Sequence, residues 1–245
     1  MTTATEPLDP ETRQKWQALT ETLARISDRH PDAVFASSLA AEDMVLTHAI
    51  IEAGLPIEIF TLDTGRLHPQ TLEMVERIAQ RYGVSVRVVK PDTQAVLQHV
   101  TQHGEFAFYD GIELRKACCG IRKVEPLRRT LAGHSAWLTG QHRDQSITRA
   151  ELAEEEFDHS FGLYKFNPLA SWTDAHVWAV LRAYDIPYNP LHDQGYPSIG
   201  CDPCTRAVRP GEHPRAGRWW WEQASSKECG LHQGNLETVK EIDNG

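Results

Sequence analysis

Residues 33–54 have the sequence AVFASSLAAEDMVLTHAIIEAG and pass from a short apolar run through a polar loop into a helical segment. The run at 33–36 is strand-like, and the segment 42–53 is followed by Gly54, as is typical of a helix end. A strand that leads directly into a helix is the first half of a β-α-β unit. This stretch therefore predicts an α/β fold.

The same alternation continues through the first 140 residues. Strands that alternate with helices of about 10–15 residues indicate a mainly parallel sheet with helices on both faces, and ligands bind such sheets at the carboxyl ends of the strands. The predicted helices cover residues 11–29, 69–82 with Gly83 as the cap, and a segment after residue 92, and the further predicted strands cover residues 57–62, 84–89 and 136–139.

Three polar loops follow predicted strands, at 37–43, 63–68 and 140–149, and we expect the third to follow the last strand of the sheet. Ser37 and Ser38 precede a helix, where backbone amides and the helix dipole favour an anion, although either serine can instead simply cap the helix.

The other two loops also leave two interpretations open. Leu62-Asp63-Thr64-Gly65 is either a contact for a ribose or base edge or an ordinary turn. Arg143 and Arg149 suit phosphate or sulfate oxygens, but they can equally pair with the nearby glutamates.

The second half of the chain is richer in proline and glycine. We expect one α/β domain over residues 1–245, with a nucleotide-binding sheet core at about 30–150, a cap at about 151–220 and a mobile C-terminal tail at about 221–245. Arg206, Arg209, Arg215 and Arg218 form a local basic cluster in the cap.

The overall charge excludes some classes of function. Lys+Arg 25 against Asp+Glu 34 gives a net charge of −9, which argues against a general nucleic-acid or membrane-surface binder. The chain has neither a long apolar run nor a secretory signal pattern, so we expect a cytoplasmic protein with no membrane segment.

The five cysteines divide into four and one. Cys118 and Cys119 are adjacent, Cys201 and Cys204 form a C-x-x-C pair, and Cys229 is isolated. A cytoplasmic chain keeps its thiols reduced, so a disulfide framework is excluded. The four paired cysteines favour an iron–sulfur cluster over a structural zinc, because adjacent cysteines fit one small ion poorly. Buried thiols without a metal remain the third interpretation.

Cys229 lies in a polar segment, Lys-Glu-Cys-Gly-Leu-His, which suits a nucleophile better than a core residue. Lys227 or His232 would lower the pKa of its thiol, whereas Glu228 would raise it. From this segment alone, a cysteine without a nucleophilic role remains the favoured alternative.

Taken in order, six motifs resemble the assimilatory adenylyl-sulfate reductases, which are close relatives of the phosphoadenylyl-sulfate reductases. The resemblance runs from about residue 35 to residue 232. It implies a fold like that of the adenine-nucleotide α-hydrolases and reduction of adenosine 5′-phosphosulfate to sulfite and AMP by thioredoxin, in sulfate assimilation and cysteine biosynthesis. The motifs are SSxxAED, LDTGRLHP, CCGxRKxxPL, LTGQHR, CxPCTR and ECGLH.

The resemblance also assigns roles to residues. The cluster-bearing branch carries a [4Fe–4S] cluster on Cys118, Cys119, Cys201 and Cys204, and the nucleophile corresponds to Cys229. The expected catalytic set around Cys229 is Lys123, Arg143, Arg215, Arg218 and His232. The expected substrate-binding residues are Ser37, Ser38, Glu42, Asp43, Leu62, Asp63, Thr64, Gly65, Gly140, Arg143 and Arg149.

One motif departs from the family, because the first loop carries Leu39-Ala40 where S-x-G-A-E-D is commoner. Three alternatives stay open: activity on the 3′-phosphorylated nucleotide, an ATP pyrophosphatase, and a non-catalytic iron–sulfur or zinc module. The ATP pyrophosphatases need Ser-Gly-Gly-x-Asp-Ser in this loop, which the chain lacks. Relatives also imply a homo-oligomer.

Overall fold

The computed structural model describes residues 7–145 and 151–222. The strands alternate with helices along most of this length, as the sequence predicts. The strands are β1 Val34–Ala36, β2 Glu58–Leu62, β3 Arg87–Val89, β4 Ala136–Leu138, β5 Glu155–Asp158 and β6 Leu163–Phe166. The helices are α1 Pro10–Arg29, α2 Ala41–Glu52, α3 Pro69–Tyr82, α4 Thr93–His103, α5 Ile112–Cys119, α6 Glu125–Leu131 and α7 Asp174–Ala183.

The six strands form one sheet in the order β3-β2-β1-β4-β6-β5. All neighbours are parallel except β5 and β6, which pair antiparallel at one edge. The prediction of a mainly parallel sheet is confirmed.

One detail of the predicted order is wrong: β4 is not the last strand. Residues 155–166, expected in a cap, add β6 and β5 beyond it. The loop after β4 therefore lies in the middle of the sheet.

The chain runs from β1 outward to β2 and β3, then returns to place β4 on the other side of β1. This reversal makes the gap between β1 and β4 the switch point, where ligands of open α/β sheets bind.

Helices cover both faces of the sheet, also as predicted. Successive strand residues point to opposite faces, so Val34 and Phe35 of β1 belong to different apolar clusters. Phe35 packs in the cluster that contains residues of α1, α2, α3 and α7, while Val34 packs in the cluster that contains Leu127 of α6. Among the described residues, no helix is long and apolar enough to cross a membrane.

The double cysteine lies where one helix changes into another. Cys118 and Cys119 end α5, a wide π turn follows over Gly120–Val124, and α6 begins at Glu125. Pro126 in the first turn of α6 lacks a backbone N–H, which interferes with the regular ladder there. Lys123 therefore lies on a local bulge rather than on a straight helix.

Candidate active site

A cavity of about 250 Å³ opens at the carboxyl ends of β1, β2 and β4. The loops after these strands form one side of it, and residues 197–201 and 214–219 close the other. Most of the substrate and catalytic residues expected from the sequence meet here. Those that line the cavity are Ser37, Ser38, Glu42, Asp43, Leu62, Thr64, Lys123, Gly140, Arg215 and Arg218.

The loop after β1 leaves the start of α2 without a side-chain cap. The N-cap residue is Ala40, and neither serine bonds to a helix amide. The interpretation of the serines as simple caps is therefore wrong. Leu39 turns the chain in the left-handed region, with φ +63°, while its side chain is fully buried in the core. This backbone conformation costs about 1–2 kcal/mol for a residue other than glycine.

Asp43 is held at the meeting point of two strand-end loops. Its carboxylate accepts hydrogen bonds from the backbone N–H and the hydroxyl of Ser38, both at 2.5 Å, and from the N–H of Gly140. Burial raises the pKa of Asp43 to about 7, against the effect of these bonds. A carboxyl group that titrates near neutral pH therefore lies inside the cavity.

Glu42 belongs to a network around the buried His142 that the sequence did not reveal. His142 is completely buried, with its Nε2 atom 3.4 Å from Glu42 Oε1 and 3.3 Å from Asp174 Oδ1. Burial by itself would lower the pKa of His142, but the carboxylates of Asp174 and Glu42 raise it to about 9. Gln145 Nε2 also donates to Glu42 Oε1 at 2.6 Å. The network joins α2, α7 and the loop after β4.

Arg218 is fixed on the opposite, basic wall. Its Nη1 donates to the Ser198 hydroxyl at 3.3 Å and to the Ile199 carbonyl at 3.1 Å, and its guanidinium lies 4.7 Å from the Trp219 ring centroid. A β-carbon at Gly200 would come within 2.5 Å of this guanidinium. Glycine at position 200 therefore lets Arg218 lie flat beside the backbone. Lys123 and Arg215 line the same region of the cavity.

The four paired cysteines come together from distant parts of the chain. Cys118 and Cys119 from α5 and Cys201 and Cys204 from a later loop surround a pocket of about 20 Å³, and all four are free thiols. An isolated bridge between Leu67 and Cys201 holds the later loop in place.

The pocket is strongly basic. Arg66, Arg115, Arg122 and Lys123 line it together with the cysteines. Burial raises the pKa of Cys204 to about 12, against the effect of the nearby Lys123 and Arg218.

The donors around the sulfurs fit an iron–sulfur cluster. Thr64 Oγ1 lies 3.3 Å from Cys201 Sγ, and the Trp219 indole N–H is buried without a hydrogen-bond partner in the pocket wall. Four soft sulfur ligands, two of them adjacent in the chain, suit a cluster of several iron atoms better than a single zinc ion.

The cavity and the cysteine pocket share a wall. Lys123, Cys201 and Trp219 line both of them. Whatever the cysteines hold therefore lies directly behind the basic side of the cavity.

Some of the expected residues lie elsewhere. Arg143 does not line the cavity, since it is exposed and its Nε donates to the Leu152 carbonyl at 3.0 Å. Asp63 accepts from the Gly65 N–H at 2.9 Å and shapes a turn rather than facing the cavity. Gly65 has φ +70°, and a β-carbon there would lie 3.3 Å from an Arg122 guanidinium nitrogen. Gly65 does not line the cavity either. Arg149, Cys229 and His232 lie outside the described residues.

The geometry defines an α/β protein with a ligand cavity at the switch point of its sheet. Solved structures show the same fold. FMN adenylyltransferase from Candida glabrata is similar with a TM-score of 0.57 at 15% identity, covering 96% of this chain and 82% of that one. The phosphoadenylyl-sulfate reductase from Candida auris is similar with a TM-score of 0.66 at 26% identity, covering 83% of this chain and 100% of that one.

The family follows from the sequence match. The model of the phosphoadenosine phosphosulfate reductase domain matches residues 32–207, and the chain belongs to this family. The adenosine 5′-phosphosulfate reductase of Burkholderia cepacia is 60% identical over 233 residues, covering 95% of this chain and 93% of that protein. The protein of the same name from Allochromatium vinosum is 53% identical over 216 residues, covering 88% and 84%.

Proposed function

We propose that this chain reduces adenosine 5′-phosphosulfate to sulfite and AMP in sulfate assimilation, with thioredoxin as the reductant. One observation carries the proposal: a nucleotide-sized cavity at the switch point shares its basic wall with a pocket of four cysteines. Relatives at 53–60% identity that carry the name of this activity support it.

The cavity has a charge distribution that suits this substrate. The phosphate and sulfate groups bind the wall formed by Lys123, Arg215 and Arg218, because guanidinium and ammonium groups neutralise their oxygens. The purine and ribose lie near residues 37–43 and 62–65. Carboxylates of Glu42, Asp144 and Asp174 line the cavity as well, which disfavours a further phosphate near them. The unphosphorylated nucleotide is therefore the proposed substrate.

The chemistry begins at Cys229. Its thiolate attacks the sulfur of the sulfate group, an S–S bond forms, and the bond from that sulfur to the bridging oxygen breaks, so AMP leaves with the electron pair. The basic wall offsets the repulsion between the thiolate and the sulfate. His232 near Cys229 would favour the thiolate.

Thioredoxin supplies the two electrons. One thioredoxin thiolate attacks Cys229 Sγ and expels sulfite, leaving a mixed disulfide, and the second thioredoxin thiol resolves that disulfide and regenerates the Cys229 thiol. No electron needs to pass through the cysteine pocket. Arg149 remains part of the proposed phosphate-binding set, from which we leave out Arg143 because its Nε donates to the Leu152 carbonyl.

The four paired cysteines are the proposed ligands of a [4Fe–4S] cluster. These ligands come from α5 and from the loop of residues 201–204, so a bound cluster would join the two elements beside Lys123 and Arg218. We also propose a cytoplasmic location, since that compartment keeps thiols reduced, and a homo-oligomer, as the family resemblance implies.

The test is Cys229→Ser with Cys119→Ser as its counterpart. The first variant should lose AMP and sulfite release while it keeps visible cluster absorption and about four iron atoms per chain. The second should lose both iron and absorption. Activity that survives in Cys229→Ser overturns the assigned nucleophile, and iron that survives in Cys119→Ser overturns the assigned ligand set.

A further inference from the structure

A tyrosine joins the two parts of the chain that carry the paired cysteines. Tyr109 ends a short helical turn, and α5, which ends in the double cysteine, begins three residues later. The Tyr109 hydroxyl donates to the backbone carbonyl of Pro203 at 2.6 Å. Pro203 lies between Cys201 and Cys204, in the C-x-x-C turn. This bond therefore links the segment that leads into α5 to the C-x-x-C turn.

The first cysteine of the turn is held by the segment after β2. Leu67 forms an isolated bridge with Cys201, and the Asp202 N–H donates to the Arg66 carbonyl at 2.8 Å. Thr64 Oγ1 also lies 3.3 Å from Cys201 Sγ. These contacts do not involve Tyr109, so they remain when the tyrosine is changed.

The second cysteine is held from other directions. The Trp219 N–H donates to the Cys204 carbonyl at 3.0 Å, and the Cys204 N–H donates to the Cys201 carbonyl at 3.0 Å. The Pro203 carbonyl and the Cys204 N–H belong to one planar peptide unit, so fixing that carbonyl also fixes the N–H. The Tyr109 hydrogen bond therefore orients the peptide that leads directly into Cys204.

Aromatic rings keep Tyr109 in place beside the cysteine pocket. Its ring centroid lies 4.6 Å from that of Phe108, which lines the pocket, and 4.5 Å from that of Trp221, which it meets edge-on. Trp221 and Cys204 pack against the same apolar cluster, which contains Trp219. Although Tyr109 is 40% exposed, its neighbours thus define the direction of its hydroxyl.

We propose that Tyr109 is a positioning residue for Cys204, whose hydrogen bond to the Pro203 carbonyl keeps this thiolate in place to hold iron. The inference rests on the proposed function, because it requires an iron–sulfur cluster on the four cysteines. Loss of the hydroxyl frees one peptide of the turn, while the contacts of Cys201 stay. The pocket should then still bind iron but release it faster.

The experiment follows iron release from the cluster-loaded full chain to an excess of ferrozine, a ferrous-iron chelator, without oxygen. Tyr109→Phe keeps the ring and removes only the hydroxyl. It should begin with the iron content of the wild type and release iron about fivefold faster, which corresponds to about 1 kcal/mol, the net contribution of one hydrogen bond. Its unfolding temperature, measured by far-UV circular dichroism, should stay at the wild-type value, which separates positioning from a general loss of stability.

Tyr188→Phe is the matched control. The Tyr188 hydroxyl donates to the Asp193 carboxylate at 3.3 and 3.2 Å, and Tyr188 lines neither the cavity nor the cysteine pocket. This variant also loses one tyrosine hydroxyl and its hydrogen bond. It should release iron at the wild-type rate.

Three outcomes overturn the role of Tyr109: a wild-type rate of iron release in Tyr109→Phe, an equal acceleration in Tyr188→Phe, or an acceleration that is matched by a lower unfolding temperature. The iron content of the wild type separates this failure from that of the proposed function. If the wild type holds no iron, the proposed cluster is wrong, and the role of Tyr109 with it. If it holds about four iron atoms per chain and Tyr109→Phe releases them at the wild-type rate, only the role of Tyr109 is wrong.

Discussion

Gly140 lies so close to Asp43 that a β-carbon at position 140 would stand 2.0 Å from the Asp43 carboxylate oxygen Oδ1. This contact joins the loop after β4 to the first turn of α2 across the switch point of the sheet. Asp43 cannot move aside freely, because Ser38 holds its other oxygen. Glycine at 140 is therefore a steric requirement of the cavity.

Gly140→Ala should destabilise the fold by about 1–3 kcal/mol and weaken AMP binding, because the methyl group displaces the buried carboxylate. Chemical denaturation and AMP titration measure the two effects. Gly111→Ala is the control, since a β-carbon there meets open space and its φ of 169° is extended. Equal behaviour of the two variants would contradict the steric argument.

The raised pKa of Asp43 predicts a pH dependence of stability. Its ordinary value is 3.8 and burial raises it to about 7 in the folded protein. Below pH 4 the Asp43 carboxyl group is protonated in both the folded and the unfolded protein, and between pH 4 and 7 it is protonated only in the folded protein. The unfolding free energy therefore falls by about 1.4 kcal/mol per pH unit in that window and is level above it.

Denaturation of the wild type and of Asp43→Asn between pH 5 and 8 checks this. The advantage of the wild type over the variant should shrink by about 2–3 kcal/mol from pH 5 to pH 7 and then stay constant. A difference that does not change with pH would show that Asp43 is ionised throughout.

Lysine should replace Arg218 only in part. Its flat guanidinium fits between Gly200 and Trp219 and still presents charge to the cavity, whereas an ammonium cannot stack or donate in a fork. Arg218→Lys should raise the KM for adenosine 5′-phosphosulfate about tenfold, or about 1.4 kcal/mol. Steady-state kinetics with sulfite detection measure it.

Arg206→Lys is the matched control from the same basic stretch. Arg206 is outside the cavity lining and pairs with Glu212 at 2.8 and 2.9 Å. The KM of the Arg206→Lys variant for adenosine 5′-phosphosulfate should equal that of the wild type. If both variants raise KM to the same extent, general positive charge rather than the placement of Arg218 explains the effect.

The local sequence was sufficient for most of the fold because helix periodicity, apolar runs and glycine caps act within a few residues. Gly83 has φ +70° and ends α3 where its position after Tyr82 predicted. The edge strand β5, Glu155-Glu156-Phe157-Asp158, could not be predicted in this way. Three of its four residues are acidic, and only its antiparallel pairing with β6 makes it a strand.

The candidate site, like the fold, was predicted only in part from the sequence. The residue types of the loops after β1 and β4 predicted an anion-binding cavity; both loops line one cavity, and its binding of an anion stays a prediction. The sequence could not predict where the Arg143 side chain points, because its guanidinium donates a hydrogen bond to the backbone carbonyl of Leu152. His142 stands next to it in the sequence, yet its burial between Glu42 and Asp174 depends on α7, more than 30 residues later.

The sequence by itself determined the α/β alternation, the family motifs and the division of five cysteines into four and one, since each of these is written in residue types and short spacings. Only the tertiary structure decided which groups meet. It placed β4 beside β1, brought Gly140 against Asp43 and set the cysteine pocket behind the basic wall. These contacts join residues up to about 150 positions apart, such as Arg66 and Trp219 in the cysteine pocket, and burial rather than local preference determines their distances and their charges.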